Sequence, residues 1–202
     1  MGLLKFMQEN FLFDPTPSES NETLEEINKE ILERATILPQ LSQRVFIFGE
    51  GERGAKLALV GESPGPPDAE SGRPFMGPAG DMLERILSAI GLKRSDCYLS
   101  NVVKYISQGD ELTSDILNFF TLFLHRELAV VKPKLIVTLG NTPTKALLNS
   151  KKPISQMRGH WQDYRGIKLM PTFNPAYLLR DPTKKREVWE DMKLVRAELA
   201  NY

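Results

Sequence analysis

The chain has 202 residues, with 26 Lys and Arg against 26 Asp and Glu. That length is enough for one buried core and demands no second domain, while the zero net charge means that any nucleic-acid binding needs a local basic patch. A single cysteine, Cys97, excludes an internal disulfide and any metal or iron–sulfur site built on several thiolates.

The start of the chain, MGLLKFMQENFLFDP, lacks the basic opening and small-residue cleavage site of a secretory signal. No run approaches the roughly 18 apolar residues of a membrane span. The expectation is a soluble cytoplasmic protein without a membrane partner, a monomer with one domain over 1–202. Residues 14–22 read as a loop in which Ser20 or Asn21 caps a helix. That helix runs from Leu24 to about Leu38, with Leu24, Ile27, Ile31 and Leu32 at helical spacing. Residues 1–45 then form a helical extension packed on the core.

Arg44 to Phe48 alternate toward a strand, and GEGERG (49–54) is a turn. Leu57 to Val60 is a buried strand that runs into GESPGPPDAESGRPFMGPAG, residues 61–80. A helix begins near Asp81, carries Met82, Leu83, Ile86, Leu87 and Ile90 on one side, and stops at Gly91. Cys97 to Val103 is a second strand. Thr113 or Ser114 caps a helix to about Val131, and Leu135 to Leu139 is a third strand. A short helix runs from Thr142 through Leu148, residues 150–166 are looser, and Ile167 to Phe173 is a fourth strand. A last helix spans about Lys184 to Ala200. Strands alternating with helices point to a parallel sheet covered on both faces.

Polar groups stand at or near all four strand ends: Glu62, Asn101, Asn141 and Asn174. In a parallel sheet they emerge along one edge, where open α/β proteins bind ligands. Glu62 alone would read as a turn cap or an Arg partner, but beside Pro64-Gly65-Pro66 and the other strand ends it reads as a functional carboxylate. The Asn101 amide offers a donor and an acceptor, which the edge of a pyrimidine requires. Phe75, in a turn, has core packing as its plain alternative, and Asn141 is set aside as a turn residue or helix cap. The chain has neither a G-x-G-x-x-G dinucleotide fingerprint nor a G-x-x-x-x-G-K-[ST] phosphate loop. Its two histidines, His125 and His160, have no metal-ligand spacing.

Four blocks, GESPG…SGRPFMGPAG, YLSNVVK, PKLIVTLG and PTFNPAYLLRDPTKKREVW, resemble in order and spacing the family-4 (thermophile-type) uracil-DNA glycosylases. The resemblance covers about Phe48 to Val195. It implies an α/β/α three-layer sandwich around a central four-stranded parallel sheet, and hydrolysis of the N-glycosidic bond of deoxyuridine in DNA to leave an abasic site, with other deaminated bases as further candidates. The implied partner is DNA containing a damaged base, which must be flipped out of the duplex. By resemblance Glu62 positions or activates water and faces the cationic sugar, Phe75 stacks on the base, Asn101 reads its polar edge, and Ser63 lines the pocket. Pro64 and Gly65 belong to the DNA-facing turn. Asn174 acts in catalysis at the head of the second motif, Pro175 and Ala176 follow it toward the DNA, and Leu178, Leu179 and Arg180 form a wedge with its phosphate contact. Lys184, Lys185 and Arg186 read equally as phosphate contacts or as a solvated first helical turn.

Two departures stand out. The family usually holds a four-iron, four-sulfur cluster on four cysteines, and one cysteine cannot; the expectation is no cofactor, with apolar packing around Tyr105, Phe119, Phe120 and the N-terminal helix in its place. The second motif usually opens with histidine, here Asn174, whose amide can still donate, as in the NPS-like motifs of the mismatch-specific and hypoxanthine-type branches. The basic KRRIH insertion of the covalent uracil-trapping relatives is replaced by SQGDELTSD, which speaks against trapping. A second reading is a homologue that binds damaged DNA or a nucleobase without efficient turnover.

Overall fold

A computed structural model describes residues 22–36, 41–107 and 112–202. Ser20 and Asn21, the expected caps, lie outside the described residues. The first helix, α1 (Leu24–Thr36), is instead capped reciprocally by Thr23 and Glu26. The Thr23 N–H donates to Glu26 at 2.8 Å, and the Glu26 N–H to the Thr23 hydroxyl at 3.2 Å. Ile27 and Ile31 are buried, whereas Leu32 is exposed and falls off the packing stripe.

Five strands follow: β1 (Leu57–Gly61), β2 (Cys97–Asn101), β3 (Leu135–Leu139), β4 (Gln162–Tyr164) and β5 (Ile167–Thr172). Their order in the sheet is β2-β1-β3-β5-β4, with β2, β1, β3 and β5 mutually parallel and β4 antiparallel to β5. The expected four-stranded parallel sheet therefore needs correction to a five-stranded, mostly parallel one. The added edge strand pairs Tyr164 with Ile167 across Arg165-Gly166. Both turn residues have positive φ (52° and 83°), as a tight two-residue hairpin requires. Arg44 to Phe48 does not form a strand; it contributes an isolated bridge, Phe46 to Tyr105.

Between the strands lie α2 (Pro66–Ser71) and α3 (Gly77–Ala89) after β1, and α4 (Ser114–Val131) after β2. Then come α5 (Asn141–Leu148) and α6 (Ile154–Met157) after β3, and α7 (Pro175–Arg180) and α8 (Lys185–Leu199) after β5. Alternation along β1 explains the packing. Leu57 and Leu59 join an apolar cluster with Leu83, Leu87 and Met192 from α3 and α8. Ala58 and Val60 join another with Ile31 of α1 and Phe120, Phe123 and Leu124 of α4. Strands buried on both faces by helices read as continuous apolar runs, which is why β1 and β3 were visible in the sequence. The tiny α2 and α7 were not, because six residues carry too little periodicity. α3 starts at Gly77, four residues before the expected Asp81, with proline in its first turn.

Candidate active site

Strand order places the ends of β2, β1, β3 and β5 side by side along one edge. β1 connects onward to β2 on one side, and β3 and β5 extend the sheet on the other, so the topological switch point falls between β1 and β3. Ligand crevices open at such a point. Glu62 stands on the β1 side of that crevice, and Thr142, in the first turn of α5, donates a hydrogen bond to its carboxylate from the β3 side. The Glu62 backbone is itself fixed, its carbonyl accepting from the Val103 N–H at 2.9 Å. Thr142 escaped the sequence reading, although it follows the third strand end by a few residues and shares that signal.

Phe75 and Asn101 converge on Gly61. A Cβ added to Gly61 would lie 2.3 Å from Asn101 Oδ1 and 2.9 Å from Phe75 Cζ. The glycine is therefore the floor over which an aromatic ring and an amide meet, one residue before Glu62. Phe75 is 9% and Asn101 3% exposed. Gly61→Ala would drive a methyl into both groups. Overpacking of this kind costs about 1–3 kcal/mol, so a lower melting temperature and a deeper loss of activity than of stability are expected, checked by thermal melts and excision rates.

The Phe75 backbone is held in a left-handed conformation, φ 56°, which an aromatic residue adopts only when its surroundings impose it. Three contacts do so. Asp68 is buried and accepts from the Gly65 N–H at 2.8 Å and the Met76 N–H at 2.6 Å, tying the two turns together. Arg94 donates to the carbonyls of Pro74 and Phe75, the latter at 3.0 Å. Gly80 lets α3 press against this turn, since a Cβ there would sit 2.0 Å from the Phe75 carbonyl oxygen. Arg94 is anchored in turn by Glu50, which also takes Arg73 at 2.9 Å. Burial pushes the Glu50 carboxyl up, but hydrogen bonds from Arg73 and Arg94 outweigh it and hold the group below the usual range. Neither Asp68 nor Arg94 carried a recognisable sequence signal.

Ser63 is half-buried and accepts from the Ser107 hydroxyl at 3.0 Å. Pro64 is buried and Gly65 opens α2. Asn174 caps α7: its Oδ1 accepts from the Ala176 N–H at 2.8 Å, and its Nδ2 donates to the Leu139 carbonyl at 3.3 Å. One of its two amide protons thus binds the neighbouring strand end, and the other remains for a ligand. Pro175 is buried and Ala176 exposed. Leu178 is corrected: at 1% exposure it belongs to the core cluster and anchors α7, so its side chain is not part of an exposed tip. Leu179, 44% exposed, and Arg180 are the outward residues. Lys184 is engaged by Glu187 at 2.7 Å, while Lys185 and Arg186 are exposed.

A carboxylate, an aromatic residue with a left-handed backbone and a buried amide gather near the switch point of an α/β sheet. The profile of the uracil DNA glycosylase superfamily matches residues 48–193, and the chain belongs to that superfamily. It is 34% identical to the type-4 uracil-DNA glycosylase of Thermotoga maritima over 184 residues, 88% of this chain and 96% of that relative. It is 31% identical to the type-4 enzyme of Sulfurisphaera tokodaii over 189 residues, 89% of this chain and 86% of the relative. A third type-4 enzyme, from Pyrobaculum aerophilum, is 31% identical over 155 residues, 72% of this chain and 79% of the relative.

The iron–sulfur cluster implied by the resemblance does not fit the residues present. Cys97 is the only cysteine, it is buried in β2, and burial raises its thiol to about 12. Among the described residues no group of three or more His, Cys, Asp and Glu could hold a metal. Tyr105, Phe119 and Phe120 are buried in the cluster that also holds Ile27 and Ile31 of α1. The rings of Tyr105 and Phe120 lie 5.8 Å apart and those of Phe119 and Phe120 4.8 Å, the second pair edge to face, each such contact worth about 0.5–1.5 kcal/mol beyond burial. Elemental analysis of purified protein is expected to find iron far below one atom per chain, with activity unchanged by chelators.

Proposed function

We propose that this protein is a monofunctional DNA glycosylase that hydrolyses the N-glycosidic bond of uracil in DNA and leaves an abasic site. The observation that carries this is the meeting of Phe75 and Asn101 over Gly61, next to a carboxylate held at the switch point by Thr142. The relatives named type-4 uracil-DNA glycosylases support it over most of the chain. The three-layer α/β/α arrangement is supported by the two apolar clusters that share alternate residues of β1.

The steps follow from the residues. The uracil leaves the duplex, at a cost of about a few kcal/mol, and slides against the Phe75 ring while the Asn101 amide pairs with its polar edge. Its shape is checked by a pocket floor with no side chain, Gly61, and by Ser63. As the glycosidic bond lengthens, positive charge grows on the sugar and negative charge on the base. Glu62 faces the first and orients a water for attack on the sugar carbon; Thr142 keeps that carboxylate aimed. The free N–H of Asn174 faces the second. The water adds its oxygen to the sugar carbon and gives a proton to Glu62, while the departing uracil takes the bonding pair as an anion and is protonated from solvent. Leu179 fills the gap left in the duplex, with Arg180, Pro175, Ala176 and the Pro64-Gly65 turn along the flanking backbone. Lys104 is buried and engaged by Glu127, so it offers no amine for a sugar imine.

The panel that tests this uses oligonucleotides carrying uracil or hypoxanthine, single-stranded and paired, scored for abasic sites. Cleavage at uracil in either form is expected. Binding without cleavage of any base would favour instead a damaged-base binder, a reading motivated by the zero net charge and by Asn174 having already given one of its two amide protons to the Leu139 carbonyl. Asn174→Ala is expected to cost about 1 kcal/mol of stability from the lost cap. It also removes a donor to the developing anion, a loss of about 100-fold or more in rate. Thermal melts and single-turnover kinetics separate the two effects.

A further inference from the structure

A fully buried ion pair adjoins the strand end that carries Asn101. The side chains of Lys104 and Glu127 are both 0% exposed and 2.8 Å apart. Lys104 Nζ donates to the Asn101 backbone carbonyl at 2.6 Å, to Ser100 Oγ at 2.8 Å and to Glu127 Oε2 at 2.8 Å, which uses all three ammonium protons. Glu127, on α4, also accepts at Oε2 from Ser100 Oγ at 2.9 Å and Tyr98 Oη at 3.0 Å. Its Oε1 is buried without an aligned hydrogen bond.

Such a pair is poor value as a structural joint. Desolvating two charges is costly, and a well-packed apolar pair of similar volume commonly holds a helix to a strand as well or better. What an apolar pair cannot do is hold a carbonyl in place. The carbonyl held here belongs to the residue whose side chain reads the base; the Val102 N–H of the same peptide donates to the Gly61 carbonyl at 2.9 Å, and Lys104 holds the carbonyl on the open side of this edge strand.

We propose that Lys104 and Glu127 are positioning residues: through the Asn101 carbonyl they lock the orientation of the Asn101 amide and so set the affinity of the pocket for uracil. This rests on the assignment of Asn101 as the base reader. It predicts that stability and base recognition come apart when the pair is replaced by apolar residues.

The test is the double variant Lys104→Met/Glu127→Leu, measured for melting temperature, for kcat and KM on uracil-containing DNA, and for competitive inhibition by free uracil. The expected result is a melting temperature at or above the parent's, with the inhibition constant of free uracil raised about tenfold and excision lowered by a similar factor. An inhibition constant equal to the parent's in an active, folded variant overturns the proposal and leaves the glycosylase reading intact. A parent chain inactive on uracil overturns both. Should the double variant not fold, the same measurements on Ser100→Ala decide. This substitution removes the hydroxyl that accepts from Lys104 and donates to Glu127. A rise of about threefold in the uracil inhibition constant supports the proposal, and no change overturns it.

Discussion

Glu62→Gln is expected to lower single-turnover excision of uracil by about 10²–10⁴-fold, the range for removing a positioned general base, while binding of uracil-containing DNA stays near the parent's. The amide keeps the shape of the carboxylate and can still accept from Thr142, so the fold around β1 and α5 has no reason to relax. What disappears is the negative charge. In the proposed mechanism that charge is the partner of the cationic sugar and the acceptor for the proton of the attacking water. Placement at a sheet edge, between walls formed by half-buried Ser63 and Thr142, makes that charge worth more than it would be in open water. Quenched-flow kinetics with enzyme in excess and a parallel binding titration check the prediction. A comparable fall in binding would show that Glu62 organises the pocket instead of acting on the bond.

Asn101→Leu is the second large effect. The substitution keeps much of the side-chain volume but presents a methyl pair to the polar edge of the base. Leaving a buried donor or acceptor unpaired costs about 1–3 kcal/mol for each group. Uracil offers a carbonyl and a ring N–H on that edge, so a loss of about 10²–10³-fold in kcat/KM is expected from two such groups. Because recognition precedes bond cleavage, free uracil should also lose its power to inhibit. Asn101 is 3% exposed, and Leu at a buried site of this kind tests the amide itself with little disturbance of packing. An inhibition assay with free uracil and steady-state kinetics on the same preparation check both halves.

Much of this site was legible because its parts sit where periodicity breaks. The buried runs at Leu57–Gly61 and Leu135–Leu139 stop at glycine-containing turns, and polar residues just beyond such stops have few structural reasons to be there. Glu62 and Asn174 were visible on that ground, and Asn101 as an amide near the end of an apolar run. Phe75 was visible only as a ring in a turn. Its left-handed backbone depends on Asp68, Arg94 and Gly80, contacts that no local pattern encodes. The wedge shows the limit from another side. α7 is a helix of six residues, too short for spacing to decide which of Leu178 and Leu179 faces inward, and tertiary packing chose Leu178. The edge strand β4, three residues long, has no alternation to read and fell within the segment 150–166 read as looser. The pair beneath Asn101 was hidden for a different reason. Glu127 is four turns into an amphipathic helix, and a charged residue in such a pattern reads as solvent-facing until its partner, 23 residues away in sequence, is placed.

The most direct measurement is a count of products. A duplex containing one uracil is incubated with the purified chain, free base is quantified by mass spectrometry, and abasic sites are quantified on the same DNA. Free uracil and abasic sites appearing in equal amounts, with none from the matched thymine duplex, is the predicted result. DNA that is bound but yields neither product would contradict the account.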